Sequence, residues 1–342
     1  MSSAGTTATR VAVLYTSVFE SIQDVKEENR EDMDLAVNAR TVADALRSDV
    51  LDAWPHAFGK DAGELVSALR AKGTDAVFNL SECPFLAPEK ELHAVALLEL
   101  LRLPYTGNGP LALGICNNKS LTKQILAANG IPTPPFRLYT GEPSEDPGIP
   151  YPLVVKPANE DGSAGITEDS LVRDLEELRR QVRWLKEGFG QNALVEEFVG
   201  GREFNVGVLG NGTREDPHRP LPPAELVYHN PRWRLCTYHS KWEANHPSYK
   251  EIAPVCPAEG PPELLERLSR ITVHCARIFR LTGYARVDFR MNDRGDLFIL
   301  EVNPNPDLSL DAGMTRAAGA AGIPYPELIR EILRLGVALG PR

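Results

Sequence analysis

No two of the five cysteines, Cys83, Cys116, Cys236, Cys256 and Cys275, stand in C-x-x-C spacing, and their number is odd. That excludes a disulfide framework and a cysteine zinc site, and predicts reduced, mostly buried thiols. No apolar run near the start is long enough for a signal-peptide core or a membrane span. Val11 to Tyr15 is only a strand's length, so a cytoplasmic protein with no membrane partner is expected. No basic stripe accompanies the net charge of −10, which argues against a nucleic-acid partner and for small-molecule ones. The phosphate loop G-x-x-x-x-G-K-S/T is absent, as are internal repeats and low-complexity tracts.

What is present is a globular composition, 42% hydrophobic and 25% charged, in 342 residues that suit two or three subdomains. Strand Val11 to Tyr15, helix Met33 to Leu46, helix Ala62 to Ala71, strand Ala76 to Asn79 and helix Glu91 to Leu101 alternate as in a parallel α/β sheet. A helix-rich piece stops at Asn129-Gly-Ile-Pro132. The proline-rich stretch Tyr139 to Pro152 reads as an exposed connection near which a new unit starts. Then come strand Leu153 to Val155, a helix from about Ser170 to Lys186 and strand Ala193 to Glu197. From Arg202 strands dominate: Glu203 to Leu209, Glu225 to Tyr228 and, after helix Pro262 to Arg280, a hairpin of Tyr284 to Met291 with Leu297 to Val302.

The hairpin carries the strongest chemical signal. Arg286 and Asp288 alternate along one strand, Glu301 and Asn303 along the other, so each pair shares a face. A four-residue turn sets Asp288 opposite Glu301 and Arg286 opposite Asn303. Two carboxylates and an amide oxygen then form a hard-oxygen set that suits Mg²⁺ completed by water and phosphate. Read alone, the same residues also suit the solvated face of an amphipathic hairpin. Lys156 ends an apolar strand and opens a small-residue loop, Glu160 to Gly165, whose backbone amides can surround phosphate oxygens. A surface turn beside a snorkelling lysine reads the same way. Glu196-Glu-Phe-Val199 and Glu203 suit an adenine edge and a ribose, or an ordinary hairpin, and Lys119 and Lys123, i, i+4 on a helix, taken alone read as solvated lysines.

Taken in order, Asn118-Lys119, Lys156 with its loop, Glu196-Glu197, Glu203, Lys241, Arg286-Val-Asp288 and Glu301-Val-Asn303 resemble the ATP-grasp superfamily, and within it the D-alanine–D-alanine ligases, over about residues 100 to 335. The resemblance implies an α/β (α+β) ATP-grasp fold. Its parts would be an N-terminal parallel α/β substrate domain (1–115), a small central lid subdomain (116–200) and a C-terminal antiparallel-sheet catalytic domain (201–342). It implies ATP and Mg²⁺, as two ions with Mn²⁺ an alternative, and a homodimer. Lys119, Lys156, Glu160, Gly162, Ser163 and Gly165 would bind phosphates, and Glu203 the ribose. Glu196, Glu197, Phe198, Val199 and Leu300 would contact the nucleotide, and Lys241 would reach its γ-phosphate end. Asp288, Glu301 and Asn303 match the metal ligands, and Arg286 matches the arginine at the developing oxyanion.

The departures fall where that family holds its amino acids. The glycine-rich turn with a substrate glutamate is missing, leaving Glu20 or Glu31 as replacements, and Phe78-Asn-Leu-Ser81 lacks the expected histidine and glycines. Asp307 stands where the family has a glycine, Ala312 where it has a carboxylate-anchoring serine, and Asp311 adds another negative charge. The expected activity is therefore an ATP-dependent carboxylate–amine ligase acting through an acyl phosphate, with an amine substrate that lacks a free carboxylate or is cationic. Trp242, beside Lys241, is a substrate contact or a core residue, and His239 and His246 read as structural or exposed. The alternatives are an authentic D-alanine–D-alanine ligase and an ATP-binding module without catalysis.

Overall fold

Val11, Ala12, Val13 and Leu14 are all fully buried, although they point alternately to opposite faces of their strand. Such a strand belongs in the middle of a parallel sheet covered on both sides. In the computed structural model, which describes residues 9–16, 30–48, 50–59, 61–82, 90–160, 162–230, 235–243 and 245–342, it does. The side chains of residues 30–34 and of Trp242 lie outside that description. β1 (Thr9–Thr16) is followed by α1 (Arg30–Leu46), β2 (Leu51–Phe58), α2 (Ala62–Ala71) and β3 (Ala76–Leu80), and the parallel sheet has the order β2-β1-β3. β2 does not show in the sequence pattern because Pro55 interrupts it. At the sheet edge proline is tolerated, and among the described strands β2 is the edge neighbour of β1. Val11 and Val13 pack with Val42 and Leu46 of α1, while Ala12 and Leu14 pack with Leu65 and Leu69 of α2 and with Val95 and Leu98 of α3 (Glu91–Leu100). The short α4 (Pro110–Cys116) follows.

The second sheet is antiparallel. After α5 (Lys119–Ala128), capped by Asn118 through the Leu121 amide, come β4 (Phe136–Tyr139), β5 (Leu153–Pro157), β6 (Leu171–Val172), α6 (Leu175–Phe189) and β7 (Ala193–Glu197), in the sheet order β4-β7-β5-β6. The stretch from Tyr139 to Pro152 does not open a new unit, because β4 precedes it and pairs with β7 in this same sheet. The long helix starts later than its periodicity suggests. Asp174 accepts from the Glu177 amide at 2.9 Å and caps it, and Gly190, at φ 66°, ends it.

The third sheet is built from β8 (Arg202–Leu209), β9 (Arg219–Pro220), β10 (Ala224–Tyr228), β11 (Ile252–Val255), β12 (Tyr284–Met291) and β13 (Leu297–Pro304), with α7 (Tyr238–Trp242) and α8 (Pro262–Ile278) between them. It runs β11-β10-β8-β12-β13, with β9 off β8. Val287 and Phe289 turn to a core shared with Leu268 and Cys275 of α8, which leaves Arg286, Asp288 and Arg290 on the other face of β12. The closing helices α9 (Gly313–Ala320) and α10 (Tyr325–Ala338) return to the first sheet: Met314, Ala317, Leu328, Ile329 and Ile332 share its core. No helix of the described residues is long and apolar enough to cross a membrane. Cys116 and Cys275 are buried, Cys236 and Cys256 only half so, and these four are free thiols; Cys83 lies outside the described residues.

Candidate active site

Asp288 pairs with Glu301 and Arg286 with Asn303, the register expected from sequence, though it arises differently. The turn closes one step earlier, at Met291 and Leu297, and a bulge between the pairs Phe289–Ile299 and Asp288–Glu301 absorbs Leu300. That extra residue reverses the alternation, so Ile299 enters the core while Glu301 and Asn303 face the cleft. Leu300 itself lines the cleft, whose walls include Glu91, Lys119, Glu160, Glu301 and Asn303.

Arg286 grips Asp288 with two hydrogen bonds, Nε to Oδ1 at 2.7 Å and Nη2 to Oδ2 at 2.8 Å. Asp288 raises the guanidinium above its ordinary pKa in spite of burial, so Arg286 stays charged. Asn303 donates its amide nitrogen to Asp288 at 2.8 Å, which leaves its carbonyl oxygen for a cation. Among the described residues no group of three or more histidine, cysteine, aspartate or glutamate side chains could hold a metal. Two carboxylates and one amide oxygen, all hard donors and few in number, fit a Mg²⁺ that keeps water and phosphate as its other ligands.

Three lysines converge on two glutamates beside this pair. Glu301 lies 3.4 Å from Lys119, which α5 brings in, and 3.6 Å from Lys156 at the end of β5. Glu196 of β7 sits between Lys156 at 2.8 Å and Lys123 at 2.6 Å. Burial favours the neutral acid at Glu301, yet Lys119, Lys156 and Arg286 pull it down to about 2. Glu196 is likewise held charged, against burial, by Lys123 and Lys156. Of these five groups Lys119 and Glu301 line the cleft, so an anion that enters it meets the Lys119 ammonium. Lys123 is the surprise: it is enclosed, donates to Thr133 at 2.6 Å, and is a structural partner of Glu196 rather than a solvated lysine.

The loop after β5 bends through left-handed backbone at Gly162, Ser163 and Gly165, and Lys119 donates to the Glu160 carbonyl. It is tied to α7 by the Tyr238 amide, which donates to Ile166 O at 3.0 Å. Lys241 is exposed on α7. Cys236, just before α7, has its thiol pushed up by burial and by Glu203, against the pull of Lys241, Ser240 and Ser163. Val199 is buried and Glu197 and Phe198 are half-buried, while Glu203 is bonded to Arg290 and Tyr228.

The residues expected on the substrate side fare differently. Glu20 and the side chains of Glu31 and Trp242 lie outside the described residues. Asp307 is exposed and committed to its own turn, accepting from Ser309 N at 2.8 Å and Ser309 Oγ at 2.6 Å, while the Asp311 backbone carbonyl accepts from Arg316. His239 and His246 stack at 4.9 Å, with His239 paired to Glu243 and His246 capping a short turn at Ser248. At the carboxyl ends of β1 and β3, where parallel sheets bind ligands, Thr16, Asn79 and Ser81 form a buried polar group with Thr16 Oγ1 2.9 Å from Ser81 Oγ.

Sequence reading missed Glu91, Asn117 and Asn159, which join the cleft through Asn117 Nδ2 to Glu91 at 2.6 Å and Asn159 Nδ2 to the Asn117 carbonyl at 3.3 Å. They come from separate elements and carry no local signal. Arg290 was within reach, since it continues the alternation of Arg286 and Asp288.

The chain matches the family model described as D-ala D-ala ligase C-terminus over residues 125–334. It is 31% identical over 296 residues to the D-alanine--D-alanine ligase of Bordetella avium (strain 197N), covering 85% of this chain and 86% of that one. It is also 35% identical over 263 residues to the uncharacterized protein y4sG of Sinorhizobium fredii, covering 77% and 75%. In fold it is similar to the D-alanine--D-alanine ligase from Bacillus anthracis in its crystal structure complexed with ATP, with a TM-score of 0.72 and 22% identity over 97% of this chain and 98% of that one.

Proposed function

The chain belongs to the D-alanine–D-alanine ligase family of ATP-grasp proteins, and on that footing we propose that its cleft joins a carboxylate to an amine with ATP, through an acyl phosphate. The observation that carries this reading is Glu301, held between Lys119 and Lys156 and directly across the hairpin from Asp288.

Lys119 and Lys156 take the terminal phosphates, and the loop with Glu160, Gly162, Ser163 and Gly165 covers them. Glu203 takes the ribose, and Glu196, Glu197, Phe198, Val199 and Leu300 surround the base. Asp288, Glu301 and Asn303 would hold the divalent metal, as two Mg²⁺ ions with Mn²⁺ an alternative, and bound metal would neutralise charge on the transferring phosphoryl group. An oxygen of the substrate carboxylate attacks the γ-phosphorus, the bond to the β,γ-bridging oxygen breaks, and ADP leaves. The amine nitrogen then adds to the acyl carbon, the acyl C–O bond to phosphate breaks, and the proton lost from nitrogen leaves with phosphate or to water as the amide forms. Lys241 serves the γ-phosphate end. Arg286, its plane fixed beforehand by Asp288, meets the oxygen on which negative charge collects.

Residues 1–115 act as the substrate domain, 116–200 as the lid and 201–342 as the catalytic domain of a cytoplasmic homodimer. The amine lacks a free carboxylate or is cationic. Asp307 and Asp311 follow the end of β13, beside Ala312, which offers no hydroxyl to a carboxylate. With ATP and Mg²⁺, a mixed panel of amino acids and amines is expected to elicit ADP release and an amide product visible by mass spectrometry, while D-alanine alone elicits little. Robust dipeptide synthesis from D-alanine would overturn the amine assignment, and ATP binding without ADP release from any panel member would overturn catalysis. Arg286→Ala should lower turnover about a hundredfold or more while ATP binding is retained.

A further inference from the structure

We propose that Arg290 and Tyr228 are positioning residues for nucleotide recognition, fixing the Glu203 carboxylate so that one of its oxygens is presented to the ribose. The inference rests on the reading of Glu203 as the ribose acceptor. Strand pairing sets Arg290 of β12 directly opposite Glu203 of β8, so the two side chains share a face. Arg290 is only 4% exposed, and its Nη2 lies 2.6 Å from Glu203 Oε2. The Tyr228 hydroxyl donates to that same Oε2 at 2.6 Å and accepts from Arg290 Nη2 at 3.1 Å, closing a three-membered ring of polar groups. Glu203 Oε1 takes no hydrogen bond from the described residues. The guanidinium also lies 5.5 Å from the Phe198 ring and 5.1 Å from the Tyr228 ring, which locks its own plane.

A glutamate free to rotate would offer either oxygen and lose that freedom when ribose binds. One held by two donors on Oε2 presents Oε1 in advance. A buried ion pair is weak evidence for stability, since apolar side chains of like volume fold as well. Its place beside Phe198 and Val199, whose carbonyl lies 3.5 Å from Arg290 Nη1, points instead to the nucleotide.

The test is calorimetric binding of ATP and of 2′,3′-dideoxy-ATP, each with Mg²⁺, to the full chain and to Tyr228→Phe and Arg290→Met. The full chain should prefer ATP by about tenfold or more, as expected for hydroxyls bonded to a carboxylate. Tyr228→Phe should shrink that preference severalfold and Arg290→Met should nearly abolish it, with affinity for the dideoxy nucleotide unchanged. Equal weakening of both nucleotides, with the preference intact, would reduce the two residues to a structural role and overturn the proposal. So would a full chain that does not discriminate. A full chain that binds neither nucleotide would instead sink the nucleotide reading of the cleft. Tyr228→Phe removes a single hydroxyl and keeps the test open should Arg290→Met fail to fold.

Discussion

Lys123 has no exposure at all, and its ammonium is shared between the Glu196 carboxylate and the Thr133 hydroxyl. Loss of hydration pushes it down to about 8, against the pull of Glu196. In the unfolded chain a lysine keeps a pKa of about 10.4. Between those values the unfolded chain holds more protons than the folded protein, so stability rises with pH through the window, by at most about 1.4 kcal/mol per pH unit. Lys123→Met abolishes this dependence and, by leaving Glu196 a single partner, costs about 3 kcal/mol or more. Urea unfolding between about pH 8 and about pH 10 should show the wild type gaining on the variant as pH rises. Parallel curves would mean that Lys123 titrates as it does in the unfolded chain. The spacing of Lys119 and Lys123 is legible in the sequence, but that this helix face is roofed by β7 is not, since Glu196 lies far along the chain.

At the scale of elements, the hairpin and the loop after β5 do the positioning. The alternation in β12 and β13 shows which residues share a face, and the expected pairing of Asp288 with Glu301 is present. The bulge at Leu300 was not foreseeable, because a turn of one length and a turn of another with a compensating bulge give the same pairing beyond it. The loop is more constrained than a flexible glycine stretch. Gly165 has φ 70°, and a Cβ there would sit 2.6 Å from Pro157 Cγ and 3.3 Å from Leu185 Cδ2. Gly165→Ala should therefore cost about 1–3 kcal/mol locally and displace the loop that we propose covers the phosphates. The expected result is a raised KM for ATP with Tm lowered by only a few degrees. A normal KM would show that the loop tolerates the shift.

The whole molecule is joined where the first sheet's last loop meets the end of β13. Asn305, at φ 50°, accepts from the Asn108 amide at 2.8 Å, and Asn108 in turn donates to the Tyr284 carbonyl at 2.9 Å and accepts from the Thr282 amide. Gly107, at φ 87°, leaves room for the Asn305 side chain where any Cβ would collide with it, and the guanidinium of Arg342 donates to the Tyr105 and Gly107 carbonyls. Because Asn303 stands two residues before Asn305, Gly107→Ala should disturb the cleft as well as the joint. We expect a loss of about 2–3 kcal/mol in urea unfolding and a fall in turnover; stability lost with turnover unchanged would separate the joint from the site. By itself the sequence determined which side chains share a strand face and which small residues form the loop, because those follow from neighbouring residues and the fixed geometry of the chain. Only the tertiary structure decided that Lys119 and Lys156 meet at Glu301, that Glu203 is pinned by Arg290 and Tyr228, and that α10 closes the first sheet. Such meetings depend on how separate elements pack, and no local pattern encodes which distant partner fills a given face.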